Sequence, residues 1–289
     1  MRDFIISTDT TADLPAEFVK ENNVDIHTLY YSIDDTVYGP ENTLPIEEFY
    51  KKMRNGAMPT TMACNPEEVY KLFKKRIEEG YDILHIAFSS ALSCSYNNYI
   101  IAMNELKDEY PDANITIIDS LSASLGEGLV VYRAVQLKKE GKSLEEIADY
   151  VKSHLFNFAQ YFTVDDLFHL YRGGRVSKSS AFIGSLAGIK PILYINDEGK
   201  LIPTGKVRGR KKALLTLVDK VAQDSGAFKN EAGIVFIGHS DCIEDAQFTA
   251  DKIKEKTGLD SVINYLSPII GTHTGPGTIA VFFMAEKRH

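Results

Sequence analysis

Short runs with apolar residues on both faces, rather than at alternate positions only, recur through the first half of this chain. DFIIS (3–7), YDILHIAF (81–88) and NITIID (114–119) have this character. A strand with one face in water alternates apolar and polar residues. A strand covered on both faces does not, and that burial is found in parallel sheets overlaid by helices. The segments between the runs carry helix-start signals. In NPEEVYKLFKKRIEEG, Asn65 suits an N-cap, Pro66 the first helical position, and Glu67 and Glu68 the positive end of the helix dipole. Val69, Leu72, Phe73 and Ile77 then fall on one face. In SLEEIADYVKSHL, Ser143 and Glu146 form a capping box ahead of a stripe of Leu144, Ile147, Val151 and Leu155. Strand and helix in alternation predict an α/β domain with a mainly parallel sheet.

From about Phe156 the pattern changes. FAQYFTV and IKPILYIN read as strands, and Asp197–Gly199 is a turn leading into KLIPTGKVR, a hairpin signal. RKKALLTLVDKVAQDSG reads as a helix closed by Gly226, AGIVFIGHSD as a strand, CIEDAQFTADKIKEKTG as a helix, and TIAVFFMAE as a last strand. Hairpin and crossover helices together predict a mixed sheet with helices on one face. The expected organisation is two α/β domains, residues 1–156 and 157–289.

The 289 residues suffice for two such cores without disulfides, and Cys64, Cys94 and Cys242 lie far apart with no Cys-x-x-Cys spacing. Reduced thiols and a cytoplasmic location are expected. A formal net charge of -8 disfavours general nucleic-acid binding, which needs attraction to phosphates. The opening MRDFIISTDTTADLP has too short an apolar run for a signal peptide, and no run approaches the ~20 apolar residues of a membrane span. No metal-ligand cluster, Walker A loop or dinucleotide fingerprint is present, so neither metal nor cofactor is expected.

Four segments could carry chemistry. FSSALSCSYNNY (88–99) crowds Ser89, Ser90, Ser93, Ser95 and Tyr96 where a strand ends and a helix begins. With a helix starting near Ser93, free backbone N–H groups and hydroxyls together make a site for one carboxylate or phosphate. The ordinary alternative is that Ser93 caps the helix. PTTMACNPEE (59–68) sets Thr60 and Thr61 in a loop ahead of a capped helix. YRGGRVS (171–177) flanks a glycine pair with Arg172 and Arg175, able to grip an anion, with Gly173 also a natural helix stop. VRGRKKAL (207–214) adds Arg208, Arg210, Lys211 and Lys212, a basic cluster on an acidic chain. IIGTHTGPGTIAVFF (269–283) frames His273 in a glycine-rich loop before a strand, where a histidine can donate to an anion or move a proton. His85, in mid-strand, reads as a core residue.

Taken in order, IISTDTTADLP, PTTMACNPEE, FSSALSCSYNNY, DLFHLYRGGRVS, IKPILYI and GTHTGPGTIAVFF resemble the DegV family across essentially the whole chain. The resemblance implies two α/β domains with a ligand cleft between them. It implies a long-chain fatty acid such as palmitate or oleate, its tail in an apolar tunnel and its carboxylate on hydroxyls. It further implies a role in bacteria as the binding subunit of a fatty acid kinase, presenting the carboxylate to a dihydroxyacetone-kinase-like partner that makes an acyl phosphate, with transient membrane contact left open. By position, Thr61, Ser93 and His273 are the implied carboxylate site, with Thr60, Ser95 and Arg172 in support. Arg172, Arg175, Arg208 and Arg210 are expected to serve docking of the partner. TMACNP and SCSY depart from the family's usual Thr-Ser-Gln-Pro-Ser-Pro and Ser-Gly-Thr-Tyr, and Cys94 adds a side chain beside the carboxylate site.

On this reading the chain is a binding protein without catalysis of its own. Two rivals stand beside it: a hydrolase or transferase using Ser93 with His273, and a sensor of small anions.

Overall fold

The computed structural model of the protein describes residues 2–165, 167–177 and 188–289. Strands β1 (Phe4–Asp9), β2 (Asp25–His27), β6 (Asp82–Ala87) and β7 (Ile115–Asp119) form a sheet in the order β2-β1-β6-β7, parallel throughout. The chain passes to opposite sides of β1 to reach β2 and β6, which puts a topological switch point at the carboxyl ends of β1 and β6. A small antiparallel sheet not foreseen from sequence follows, β4 (Thr36–Tyr38), β3 (Tyr30–Ile33) and β5 (Thr60–Met62) in that order. Thr60 and Thr61 therefore sit on a strand, not in a loop. Strands of three or four residues are too short for periodicity to mark them.

The second sheet has six strands. They are β8 (Phe158–Thr163), β9 (Ile189–Ile195), β10 (Leu201–Arg208), β11 (Ile234–His239), β12 (Asp260–Tyr265) and β13 (Ile279–Met284), ordered β10-β9-β8-β13-β11-β12. Only β11 and β12 pair in parallel; the other neighbours are antiparallel, so the sheet is mixed. The two α/β domains expected from sequence are present.

Helices α1 (Ala16–Glu21), α2 (Ile46–Arg54), α3 (Pro66–Glu78), α4 (Ser95–Glu109), α5 (Leu125–Lys139) and α6 (Leu144–His154) precede β8. Then come α7 (Phe168–Arg172), α8 (Arg210–Asp224), α9 (Ile243–Thr257) and α10 (Pro268–Thr274). The caps of α3 and α6 are those the sequence signals. Asn65 accepts the Glu67 N–H at 2.9 Å, and both halves of the Ser143–Glu146 capping box are formed.

The layers explain where the core lies. Val69, Phe73 and Ile77 of α3 and Tyr99, Ala102 and Leu106 of α4 cover one face of the parallel sheet. Helix α5 covers the other: Leu125, Leu129 and Val130 join Ile6, Leu84, Ile86 and Ile118, and the same cluster continues to Phe162, Phe236 and Phe282 on the second sheet. The outer face of that sheet packs on Leu214, Leu217 and Val221 of α8 and Ile253 of α9. The second sheet is thus helix-covered on both faces, not one as expected. Its own crossover helices take one side, and α5, from the first half of the chain, takes the other. An apolar sheet face must be covered by something, and a helix buried all round can serve two sheets. His85 is fully buried in β6, with Nδ1 2.9 Å from the Ser7 hydroxyl.

Candidate functional site

A cavity of about 240 Å³ opens between the two sheets. Most of its wall is hydrocarbon, supplied by residues such as Phe88, Leu92, Phe162, Leu170, Leu266 and Phe282. Thr61, Ser93, Cys94, Arg175 and His273 contribute to the same wall.

Thr61 reaches it because successive residues of a strand point to opposite faces. Thr60 turns outward and shares a hydrogen bond with Ser32 at 2.9 Å, away from the cavity, while Thr61 turns in. Across the cleft, the Thr61 hydroxyl meets His273 Nε2 at 2.9 Å. His273 lies on α10, not in a glycine-rich loop. Ser267 caps that helix by accepting the Ile270 N–H at 3.5 Å, and Pro268 takes its first turn. Gly271 lies within it because Tyr50 packs where a side chain would stand. The Ser-Pro pair was the legible signal, outweighed by the glycines.

Burial, then the nearby Arg175 and Arg172 charges, lower the His273 pKa from 6.5 to about 3, so the ring is neutral at physiological pH. Its Nδ1 is buried without a hydrogen-bond partner among the described residues and lies against Gly173, where a methyl group would overlap the ring.

The hydroxyl turn divides its labour. Ser89 is fully buried and donates to the Gly199 carbonyl at 3.0 Å, tying the turn to the β9–β10 hairpin. Helix α4 begins at Ser95, two residues later than expected, with Cys94 as an N-cap whose side chain does not cap the helix. Ser93 Oγ accepts the Ser95 N–H at 3.2 Å and lies 3.0 Å from Ser95 Oγ. Ser95 in turn accepts the Cys64 N–H at 3.2 Å. Ser93 is therefore not the N-cap of α4, although its hydroxyl accepts the first N–H of that helix, and it lies on the cavity wall, where Ser95 holds it.

The two arginines of the Arg-Gly-Gly-Arg segment are half-buried and bind main-chain oxygens. Arg172 donates to Pro59 O at 3.0 Å and Thr272 O at 3.2 Å. Arg175 donates to Leu92 O at 2.9 and 3.1 Å and to Gly173 O. These contacts join β5, the hydroxyl turn and α10, an internal role that the sequence reading did not foresee. Arg208 is exposed, and Arg210 is held by Asp245 at 2.8 Å.

Sequence reasoning also missed a buried acid cluster beneath the site. Asp9, Asp13 and Glu127 are buried beside Thr8, Thr11 and Ser124. Burial raises the pKa of Asp9 to about 6, that of Asp13 to about 7, and that of Glu127 well above its usual range. The available signal was a glutamate inside the otherwise apolar run LGEGLVV. Among the described residues no acidic, histidine or cysteine group is arranged to hold a metal, and no helix is long and apolar enough to cross a membrane.

Comparison with known proteins gives a consistent result. The profile of a family described as "Uncharacterised protein, DegV family" matches residues 3–286. A DegV domain-containing protein of Clostridium perfringens is 44% identical over 291 residues, covering 100% of this chain and 99% of that protein. A DegV lipid binding protein from Thermotoga maritima superposes with a TM-score of 0.85 at 29% identity, over 99% of this chain and 100% of that one. A DegV family protein from Thermus thermophilus, described by its fatty acid binding, gives 0.85 at 28% identity, over 99% and 100%. One from Ruminococcus gnavus, with vaccenic acid, gives 0.86 at 27%, over 96% and 99%.

Proposed function

This chain belongs to the DegV family, and from that premise we propose that it binds one long-chain fatty acid and presents its carboxylate to a kinase subunit. The observation that carries this reading is the apolar cavity between the sheets, with Thr61, Ser93 and His273 gathered on its wall. A carboxylate leaving water must find hydrogen-bond donors or its transfer costs several kcal/mol. The Thr61 and Ser93 hydroxyls supply them, and neutral His273 orients the Thr61 hydroxyl through the 2.9 Å contact. Neutral donors solvate the carboxylate without neutralising it. One oxygen can then attack the γ-phosphorus of ATP held by a dihydroxyacetone-kinase-like partner, forming an acyl phosphate as ADP leaves. Exposed Arg208 offers that partner a basic contact, beside Arg210 in its ion pair with Asp245.

The geometry favours this over the rivals. A serine hydrolase needs a basic imidazole on its nucleophile. Here the His273 Nε2 faces Thr61, and its pKa near 3 leaves it a weak base. A small-anion sensor has no use for the long apolar wall.

Organic extraction and mass spectrometry of the natively purified protein is the test. One fatty acid per chain is the expected result. An empty extract from protein that cannot then be loaded with oleate or palmitate overturns the proposal. Addition of a purified kinase subunit and ATP to the loaded protein, with hydroxylamine to trap acyl phosphate, tests the second half.

A further inference from the structure

Away from Thr61, Ser93 and His273, the cavity wall carries a buried primary amide. Gln160, on β8, is 1% exposed and lines the cavity. Its Oε1 accepts the Ala123 N–H at 3.2 Å, and its Nε2 donates to Ser122 Oγ at 2.5 Å. The Ala123 N–H requires an acceptor, which sets the orientation of the amide. A primary amide carries two N–H donors. Only one is used, and the second has no partner among the described residues. Ser124 and Thr278 line the same cavity. Their hydroxyl hydrogens are committed, to Asp13 Oδ2 at 2.5 Å and to the Thr274 and Gly275 carbonyls at 3.1 and 3.0 Å, so towards a ligand they act as acceptors.

A plain methylene chain satisfies none of these groups and leaves a buried N–H unbonded, which is unfavourable. We infer that the preferred ligand is a fatty acid bearing a hydroxyl group on its chain, with Gln160 as the residue that selects it. The hydroxyl oxygen accepts the free Gln160 N–H, and its hydrogen goes to an acceptor oxygen of the same wall. The inference rests on the fatty-acid reading above and adds the substrate class.

The test is competitive loading of the delipidated full-length protein with stearate and a series of monohydroxystearates, the hydroxyl placed at successive positions from the carboxyl to the methyl end. One position should bind better than stearate by about tenfold, the order of one hydrogen bond in an apolar site. Gln160→Met, which keeps the length and removes the donor, should abolish that preference while stearate still loads. A series with no isomer above stearate, or a preference unchanged in Gln160→Met, overturns the inference while the fatty-acid reading stands. Failure of stearate and every isomer to load overturns both. Should Gln160→Met not fold, the positional series in the unaltered protein still decides.

Discussion

Thr61 and Ser93 are half-buried hydroxyls whose local partners, His273 Nε2 and Ser95, leave each oxygen on the cavity wall. A hydrogen bond from a neutral donor to a charged group is worth roughly 1.5–3 kcal/mol. Ser93→Ala and Thr61→Ala should each weaken fatty-acid binding about tenfold or more, with little change in melting temperature. Isothermal titration with oleate checks this, and a double variant that binds as tightly as the unaltered protein would refute the assignment. Glu127 poses a different residue-scale problem. The Thr11 hydroxyl has one hydrogen yet contacts both Asp9 Oδ1 and Glu127 Oε2, the latter at 2.8 Å. It can donate to one carboxyl only, so the other must carry a proton and donate back. Burial puts that proton on Glu127, whose pKa is raised well above 4.5. A carboxyl whose folded pKa lies above its unfolded value favours folding at low pH. That stability is lost as pH rises from the unfolded value through the folded one. Glu127→Gln keeps a donor and an acceptor without needing a proton. Its melting temperature should gain on the unaltered protein between pH 5 and pH 8; parallel melting profiles across those buffers would contradict the shared proton.

At the scale of elements, α5 bears the greatest constraint, because its buried residues face both sheets. Its two glycines are explained by what they touch. Gly126 lies against the Gln160 side chain, and Gly128 against the main-chain oxygen of Ala12, in the turn after β1. A methyl group at 128 would meet a backbone atom that cannot rotate away. Gly128→Ala therefore should lower stability despite alanine's better helix propensity, a gain of only about 1 kcal/mol. Urea denaturation measures it, and a variant as stable as the parent would show that α5 can shift. The same element view accounts for α10. Its cap and proline are local signals, whereas the placement of His273 opposite Thr61 follows from the packing of Gly271 on Tyr50.

At the scale of the whole molecule, the two sheets share a core in addition to the separate clusters on their outer faces. One cluster runs from Ile6 and Ile118 through α5 to Phe236 and Phe282. Arg288, 1% exposed near the end of the chain, adds bonds to the carbonyls of Leu121 at 2.6 Å, Leu155 at 2.5 Å and Asn196 at 3.2 Å. Burial lowers its pKa to about 10, still charged at neutral pH, so loss of these partners would leave a buried cation unpaired. Domains coupled in this way should unfold together. Calorimetry is expected to give one transition with equal calorimetric and van't Hoff enthalpies, moving to higher temperature on loading with fatty acid. Two resolved transitions would mean that the shared core is too weak to couple the halves.

The alternation of apolar runs and capped helices determined by itself that an α/β fold would form, where helices such as α3 and α6 begin, and that hydroxyls would gather after β6. These are short-range matters: a cap, a turn or a face of a helix is set by residues within a few positions of one another. The order of the six motifs also placed the chain in its family. Only the tertiary structure decided that α5 would serve both sheets, that Thr60 turns away while Thr61 turns in, and that Arg172 and Arg175 bind main-chain oxygens. It alone joined Thr61 to His273, 212 positions apart, and set Gln160 in an apolar wall. Burial and the identity of a distant partner depend on how whole elements pack, and no local pattern carries that information. The same packing removes water from His273 and Glu127, and so lowers one pKa and raises the other.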